Sequence, residues 1–195
     1  MTFIETVAEA RAPAPVAQLY DSDRDAQGRV PNYTRAFSLH PELYEAWRGL
    51  NLAVKQNMDL RRYELATFAA ARRLRSSYCA LAHGSVLASQ FMPEEQLLDV
   101  VADHRHAGLD EVDVAVMDLA EKVAGDATLV TQEDVERLRS LGLSDRDIFD
   151  VVAAVSVRCF FSTMLDALGV EPDARFGELD PPLRRALTVG RPFGE

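Results

Sequence analysis

From about residue 41 to residue 168 the apolar side chains recur at helical spacing. Residues that start and stop helices punctuate the run, and strand signals are nearly absent. A chain patterned this way closes its core by packing helix on helix, so an all-α fold of antiparallel helices is expected. Pro41 suits a first helical turn, where the N–H it lacks has no partner to lose. Leu43, Trp47, Leu50 and Val54 follow at steps of four, three and four, one face of a helix. Further helices are expected over about 59–75, from Ser76 or Ser77 to Gln90, over 93–103 and over 110–125. Two more start at capping boxes, Thr131 with Asp134 and Ser144 with Asp147, Asp standing where Glu or Gln is usual. Val130 with Val135, and Leu143 with Ile148, sit where hydrophobic staples belong. Gly142 and Gly169 fit C-terminal stops. The last helix, 145–168, is apolar on most faces through Val151, Val152, Val155, Phe160 and Phe161. It should be central, or buried between subunits. The count comes to six to eight helices.

Outside this body, residues 1–37 hold several prolines and the polar stretch Asp21–Gly28, and are expected as an N-terminal arm. It would carry a short helix near Val16–Tyr20 and extended chain at Val30–Asn32. The helical domain then spans 38–170. A tail, 171–195, carries Pro172, Pro181, Pro182 and Pro192, which rule out a long helix.

Charge and cysteine usage exclude several functions. Lys and Arg total 21 against 31 Asp and Glu, a net charge of −10 that repels nucleic acid and anionic lipid. The basic cluster Arg61, Arg62, Arg72, Arg73 and Arg75 reads as a solvated helix face. No apolar run is read as long enough to span a bilayer. Met1–Ala10 lacks the basic start of a secretory signal, so the cytoplasm is the expected location. Two cysteines, Cys79 and Cys159, do not make a disulfide scaffold, so either acts as a thiol if it acts at all.

Chemistry concentrates at Glu64, Ser76, Cys79 and His83. Cys79 and His83 stand four apart on one helix face, with Ser76 three residues before Cys79. A helix starting at Ser76 puts Cys79 in its first turn, where free N–H groups and the helix dipole favour a thiolate. Glu64, on the preceding antiparallel helix, would orient His83 or take a proton. The set then supplies a nucleophilic sulfur, a base and an orienting carboxylate. The same residues have a plainer reading, a small buried Cys and a hydrogen-bonded His. They are also acceptable zinc ligands, although no metal or cofactor is expected. His104 and His106 form an H-x-H expected to face solvent, and His40 reads as part of a helix cap.

Glu64, then Ser76 twelve residues on, Cys79 three further and His83 four further lie within ELATFAAARRLRSSYCALAHGSVL. This spacing resembles the carboxymuconolactone decarboxylase and alkylhydroperoxidase D-like family, whose motif has Cys at both middle positions. VPNYTRAFSLHPELYEAWRGLN, TQEDVERLRSLGLSDRDIFDVV and DALGVEPD look like its peroxidase-related branch, so the resemblance covers roughly residues 30–173. It implies that Cys79 attacks a hydroperoxide, that Glu64 and His83 relay the proton, and that Ser76 replaces the resolving thiol. The dithiol cycle is then unavailable. Cys159, in VSVRCFFST, reads as structural rather than as a substitute. An external thiol would restore Cys79, with Ser76 hydrogen-bonding its sulfur. The resemblance also implies a homo-oligomer. Two other readings remain open. One is a cofactor-free lyase using His83 and Glu64, and the other is a degenerate scaffold.

Overall fold

A computed structural model of the chain describes residues 2–193. The first residue of the expected arm and the last two of the expected tail lie outside the described residues. Within them the fold is all-α, with ten α-helices and no strand. The helices are α1 (Ala14–Gln27), α2 (Asn32–Phe37), α3 (Pro41–Lys55), α4 (Leu60–Arg73), α5 (Ser77–Gln90), α6 (Glu94–Asp103), α7 (Glu111–Asp126), α8 (Gln132–Ser140), α9 (Asp145–Ala167) and α10 (Pro181–Leu187).

The centre is α4. Every residue from Tyr63 to Ala71 is buried, and α5, α7 and α9 pack on it. Its alanines at 66, 69, 70 and 71 let these neighbours approach on several sides. Between α4 and α5 the chain reverses at Arg75, which takes a left-handed φ of 58°. That conformation costs a non-glycine residue about 1–2 kcal/mol, and it turns the chain sharply into the first turn of α5.

Both capping boxes form. The Ser144 N–H donates to Asp147 at 2.8 Å and the Thr131 N–H to Asp134 at 2.8 Å, with the return bonds from the third helical residue in place. Gly142 and Gly169 take φ of 92° and 66°, and His40 accepts the Leu43 N–H at 3.2 Å.

Several expectations need correction. The helix count exceeds six to eight because α2 and α10 form. The paired prolines of α10 occupy its first turn, where they cost no hydrogen bond. In the arm, α1 continues through the polar stretch because Asp23 is buried there, accepting the Thr34 hydroxyl and, at 3.0 Å, the Tyr44 hydroxyl. Of the expected face of α3, Val54 is buried and Leu43 and Trp47 pack against the core, but Leu50 is 55% exposed, while Tyr44 is buried in addition. The arginine cluster is not one solvated face. Arg61 pairs with Asp113, and Arg72 donates to the carbonyl oxygens of Val100 and, at 2.5 Å, Val101 at the end of α6. By length and composition the 23-residue α9 could cross a membrane, contrary to the sequence reading. Here it packs against α3, α4, α7 and α8 inside the helical body.

Candidate active site

Cys79 lies in the first turn of α5 and is 1% exposed; His83 follows one turn later. Glu64 projects from α4 toward the same place and is buried. The fold therefore brings three of the four candidate residues to one cavity of about 320 Å³.

His83 Nδ1 lies 2.6 Å from Glu64 Oε2 and 3.1 Å from the Thr67 hydroxyl. Thr67 donates its own proton to the Tyr63 carbonyl at 2.7 Å. Lys55 Nζ holds the other carboxylate oxygen at 3.2 Å. Burial pushes the His83 pKa down, and the charge of Arg158 adds to this against the opposing pull of Glu64. Burial pushes Glu64 up, but its hydrogen bond to His83, the His83 charge and Lys55 outweigh that, leaving it below the ordinary carboxylate value. A neutral His83 gives up the charge component of that lowering, while Lys55 and the Nδ1–H bond persist. The pair is thus a carboxylate accepting from a neutral imidazole. Nδ1 carries the proton and Nε2 keeps its lone pair.

Ser76 is placed differently from expectation. It is the N-cap residue of α5, fully buried, and its hydroxyl makes no hydrogen bond of normal geometry to Cys79 or any other described residue. The sulfur's partner is Arg158 of α9, whose Nη1 is 3.8 Å from Cys79 Sγ. Arg158 is 5% exposed, and its Nη2 reaches the Tyr63 hydroxyl at 3.5 Å. Its guanidinium sits 5.4 Å from the Phe161 ring centre. Burial works against its charge, but the Cys79 sulfur and Tyr63 oxygen outweigh that and hold it protonated.

Aromatic groups wall the cavity, with Trp47 and Phe161 stacked at 4.1 Å and Tyr33 edge-on to Phe161 at 5.4 Å. Arm and tail close it together. The buried Asp173 carboxylate accepts the Asn32 N–H at 2.8 Å and the Tyr78 hydroxyl at 2.7 Å, and pairs with Arg29 at 3.4 Å. Arg175 lines the cavity beside it.

Arg158, Lys55, Trp47, Tyr33, Asp173 and Arg175 were not found from the sequence. Only Arg158 left a clear signal there, as the one cation in the middle of an apolar helix, where an ion needs a reason to be buried.

The remaining candidates separate from the site. Glu64 and His83 meet at 2.6 Å, but Cys79 does not join them in a set of three ligand atoms all within 4.8 Å of one another. Among the described residues His104, Asp118 and Glu121 do so. His104 is buried rather than solvent-facing, bonded to Asp118 at 3.0 Å, and Asp118 already pairs with Arg105 and Arg137. His106 is exposed, as expected. Cys159 is a half-buried free thiol whose pKa burial pushes up.

No family model and no curated protein matches the chain by sequence. Solved structures do match it. One is an alkylhydroperoxidase D core, an uncharacterized peroxidase-related protein from Ralstonia eutropha JMP134. It is 22% identical, with a TM-score of 0.81 over 90% of this chain and 94% of that one. A peroxidase-related protein from Silicibacter sp. TM1040 is 21% identical, also at 0.81, over 90% and 93%. A debrominase solved as a cysteine-to-alanine variant with 2,3,4-tribromopyrrole is 13% identical, at 0.74, over 96% of each chain. The fold is therefore the alkylhydroperoxidase D-like fold that the spacing of Glu64, Cys79 and His83 led one to expect.

Proposed function

We propose that the chain is a thiol oxidoreductase that reduces a hydroperoxide through Cys79 alone. The observation that carries this reading is the contact between a buried guanidinium and the Cys79 sulfur, in a cavity shared with the Glu64–His83 pair. A guanidinium at this distance would stabilise the negative charge that sulfur carries as it attacks. Neutral His83 takes the thiol proton at Nε2. The thiolate attacks the hydroxyl-bearing oxygen of the peroxide and the O–O bond breaks. Cys79 becomes a sulfenic acid, and the departing alkoxide takes the proton back from His83 as an alcohol. An external thiol then forms a mixed disulfide with release of water, and a second equivalent restores Cys79.

Hydroperoxide consumption with a supplied dithiol, measured alongside sulfenic-acid trapping, tests this in wild type, Cys79→Ser and His83→Ala. Turnover and trapping that vanish in Cys79→Ser are expected. Absence of both in the wild type would remove the redox reading.

A second reading draws on the debrominase likeness and the aromatic walls. Here the Cys79 thiolate takes bromine from an aromatic carbon, which gains a proton, and an external thiol displaces bromide to give a mixed disulfide. Bromide release from a small bromoarene, with no hydroperoxide turnover, would favour it. In either case Leu50 of α3 with Phe149 and Phe160 of α9, all exposed, would be covered in the homo-oligomer we propose, which light scattering on the eluting protein checks.

A further inference from the structure

Arg158 presents an electrostatic imbalance that the thiol alone does not resolve. It is buried and charged, yet no carboxylate pairs with it among the described residues. Its two contacts, at 3.8 Å to sulfur and 3.5 Å to a phenol oxygen, are both long, and its Nε is buried without a partner. A guanidinium offers five N–H groups in a planar fork, and one sulfur occupies at most one of them well. The other acids and bases of the cavity differ. Glu64 is satisfied by His83 and Lys55, and Asp173 by Arg29, Asn32 and Tyr78. With Lys55, Arg158 and Arg175 against Glu64 and Asp173, and Cys79 in its thiol form, the lining carries one positive charge in excess, inside a chain whose net charge is −10.

We infer that the cavity binds a small aromatic carboxylate, its acid group seated on the Arg158 fork and its ring against the aromatic wall. A carboxylate matches the fork with two parallel hydrogen bonds. Trp47, Phe161 and Tyr33 line the cavity and give a ring apolar surface to pack against. Its volume of about 320 Å³ has room for a single ring with its acid. The assignment rests on the thiol reading above, since it names what Cys79 would be offered. The acid on Arg158 would hold the reactive group of the same molecule next to Sγ.

Benzoate and its neutral isostere benzamide are the probes, titrated calorimetrically into wild type, Arg158→Gln, Arg158→Lys and Cys79→Ser. Benzoate should bind wild type at least tenfold tighter than benzamide. That preference should vanish in Arg158→Gln, survive in part in Arg158→Lys, where charge remains without the fork, and persist in Cys79→Ser. Benzoate should also slow alkylation of Cys79 by iodoacetamide in the wild type, and benzamide should not. Equal affinity for the two probes, no benzoate binding at millimolar concentration, or unchanged binding in Arg158→Gln would each overturn the inference. The wild-type comparison decides even if Arg158→Gln does not fold. Turnover of neutral cumene hydroperoxide in the same preparations separates the two proposals. Turnover without benzoate binding sinks only the carboxylate site, and benzoate binding without turnover sinks only the peroxidase reading.

Discussion

Replacing Arg158 by Met should stabilise the fold while disabling the thiol. The favourable interactions of Arg158 are few. Two charge-assisted contacts at 3.5 and 3.8 Å, both near the long limit, contribute about 1 kcal/mol each. A guanidinium 5.4 Å from the Phe161 ring adds about 0.5–2 kcal/mol. Against them stand several kcal/mol for desolvating an ion and about 1–3 kcal/mol for a buried Nε with no acceptor. Met fills a similar space and leaves no polar atom stranded. The Tyr63 hydroxyl keeps its bond to Asn51 at 2.8 Å, and Cys79 can pack as a neutral thiol. The balance favours Met by about 1–3 kcal/mol, within the range seen when buried ions are replaced by apolar residues. For a chain of this length that is roughly 2–12 °C in Tm. Calorimetry in a buffer free of multivalent anions reads the shift, and iodoacetamide alkylation of Cys79 should slow at least tenfold in the same variant. A Tm lowered by more than about 2 °C with thiol reactivity intact would refute the reasoning. It would mean that Arg158 is a structural residue whose contacts exceed its desolvation.

Four further outcomes follow from other contacts. His83 is held below its ordinary pKa, so the acid limb of the pH–rate profile should lie below about 6.5. Arg158→Gln should move that limb up, and Glu64→Gln should move it further down; a limb unmoved in both variants would disprove the assignment. The same depression means that the unfolded chain takes up a proton on His83 before the folded one does. Stability should therefore fall as pH drops below about 6.5 and level off below the folded pKa, as urea midpoints would record. Asp173→Asn should loosen the joint between arm and tail by about 2–4 kcal/mol, since three donors lose a charged acceptor. Faster amide exchange confined to α1, α2 and the tail would show it, whereas uniform exchange would not. At Gly84 an added Cβ would lie 2.6 Å from a Leu187 methyl, so Gly84→Ala should cost about 1–3 kcal/mol by forcing α10 off α5. An unchanged Tm would show that α10 yields freely.

The parts of the fold legible in the sequence are those decided within one or two helical turns. Thr131 and Ser144 bond to residues three positions away, and placing Cys79 and His83 one turn apart on α5 needs only helical spacing. Contacts decided at long range were misread. Asp23 looked like loop polarity because its partners, Thr34 and Tyr44, lie 11 and 21 residues on. His104 looked exposed because Asp118 is 14 residues away. Leu50 keeps the period of Leu43, Trp47 and Val54, which meet the core, yet stays exposed, because burial at one position of a face depends on what packs opposite it, here α9.

That division has a consequence for function. Glu64, Cys79 and His83 come from α4 and α5, neighbours in sequence, so one short stretch of chain brings all three to the cavity. The groups that shape the cavity come from elsewhere. Arg158 lies 79 residues from Cys79, Asp173 lies 95 from Tyr78 and 141 from Asn32, and Trp47 stacks on Phe161 across two helices. Each of these can change without disturbing the spacing of Glu64, Cys79 and His83. Peroxidase-related proteins and a debrominase share this fold at 13–22% identity with the chain, and a shared fold leaves the substrate open. The substrate of the thiol chemistry proposed above is then to be sought through Arg158 and the aromatic wall, because the spacing of Glu64, Cys79 and His83 leaves its target open.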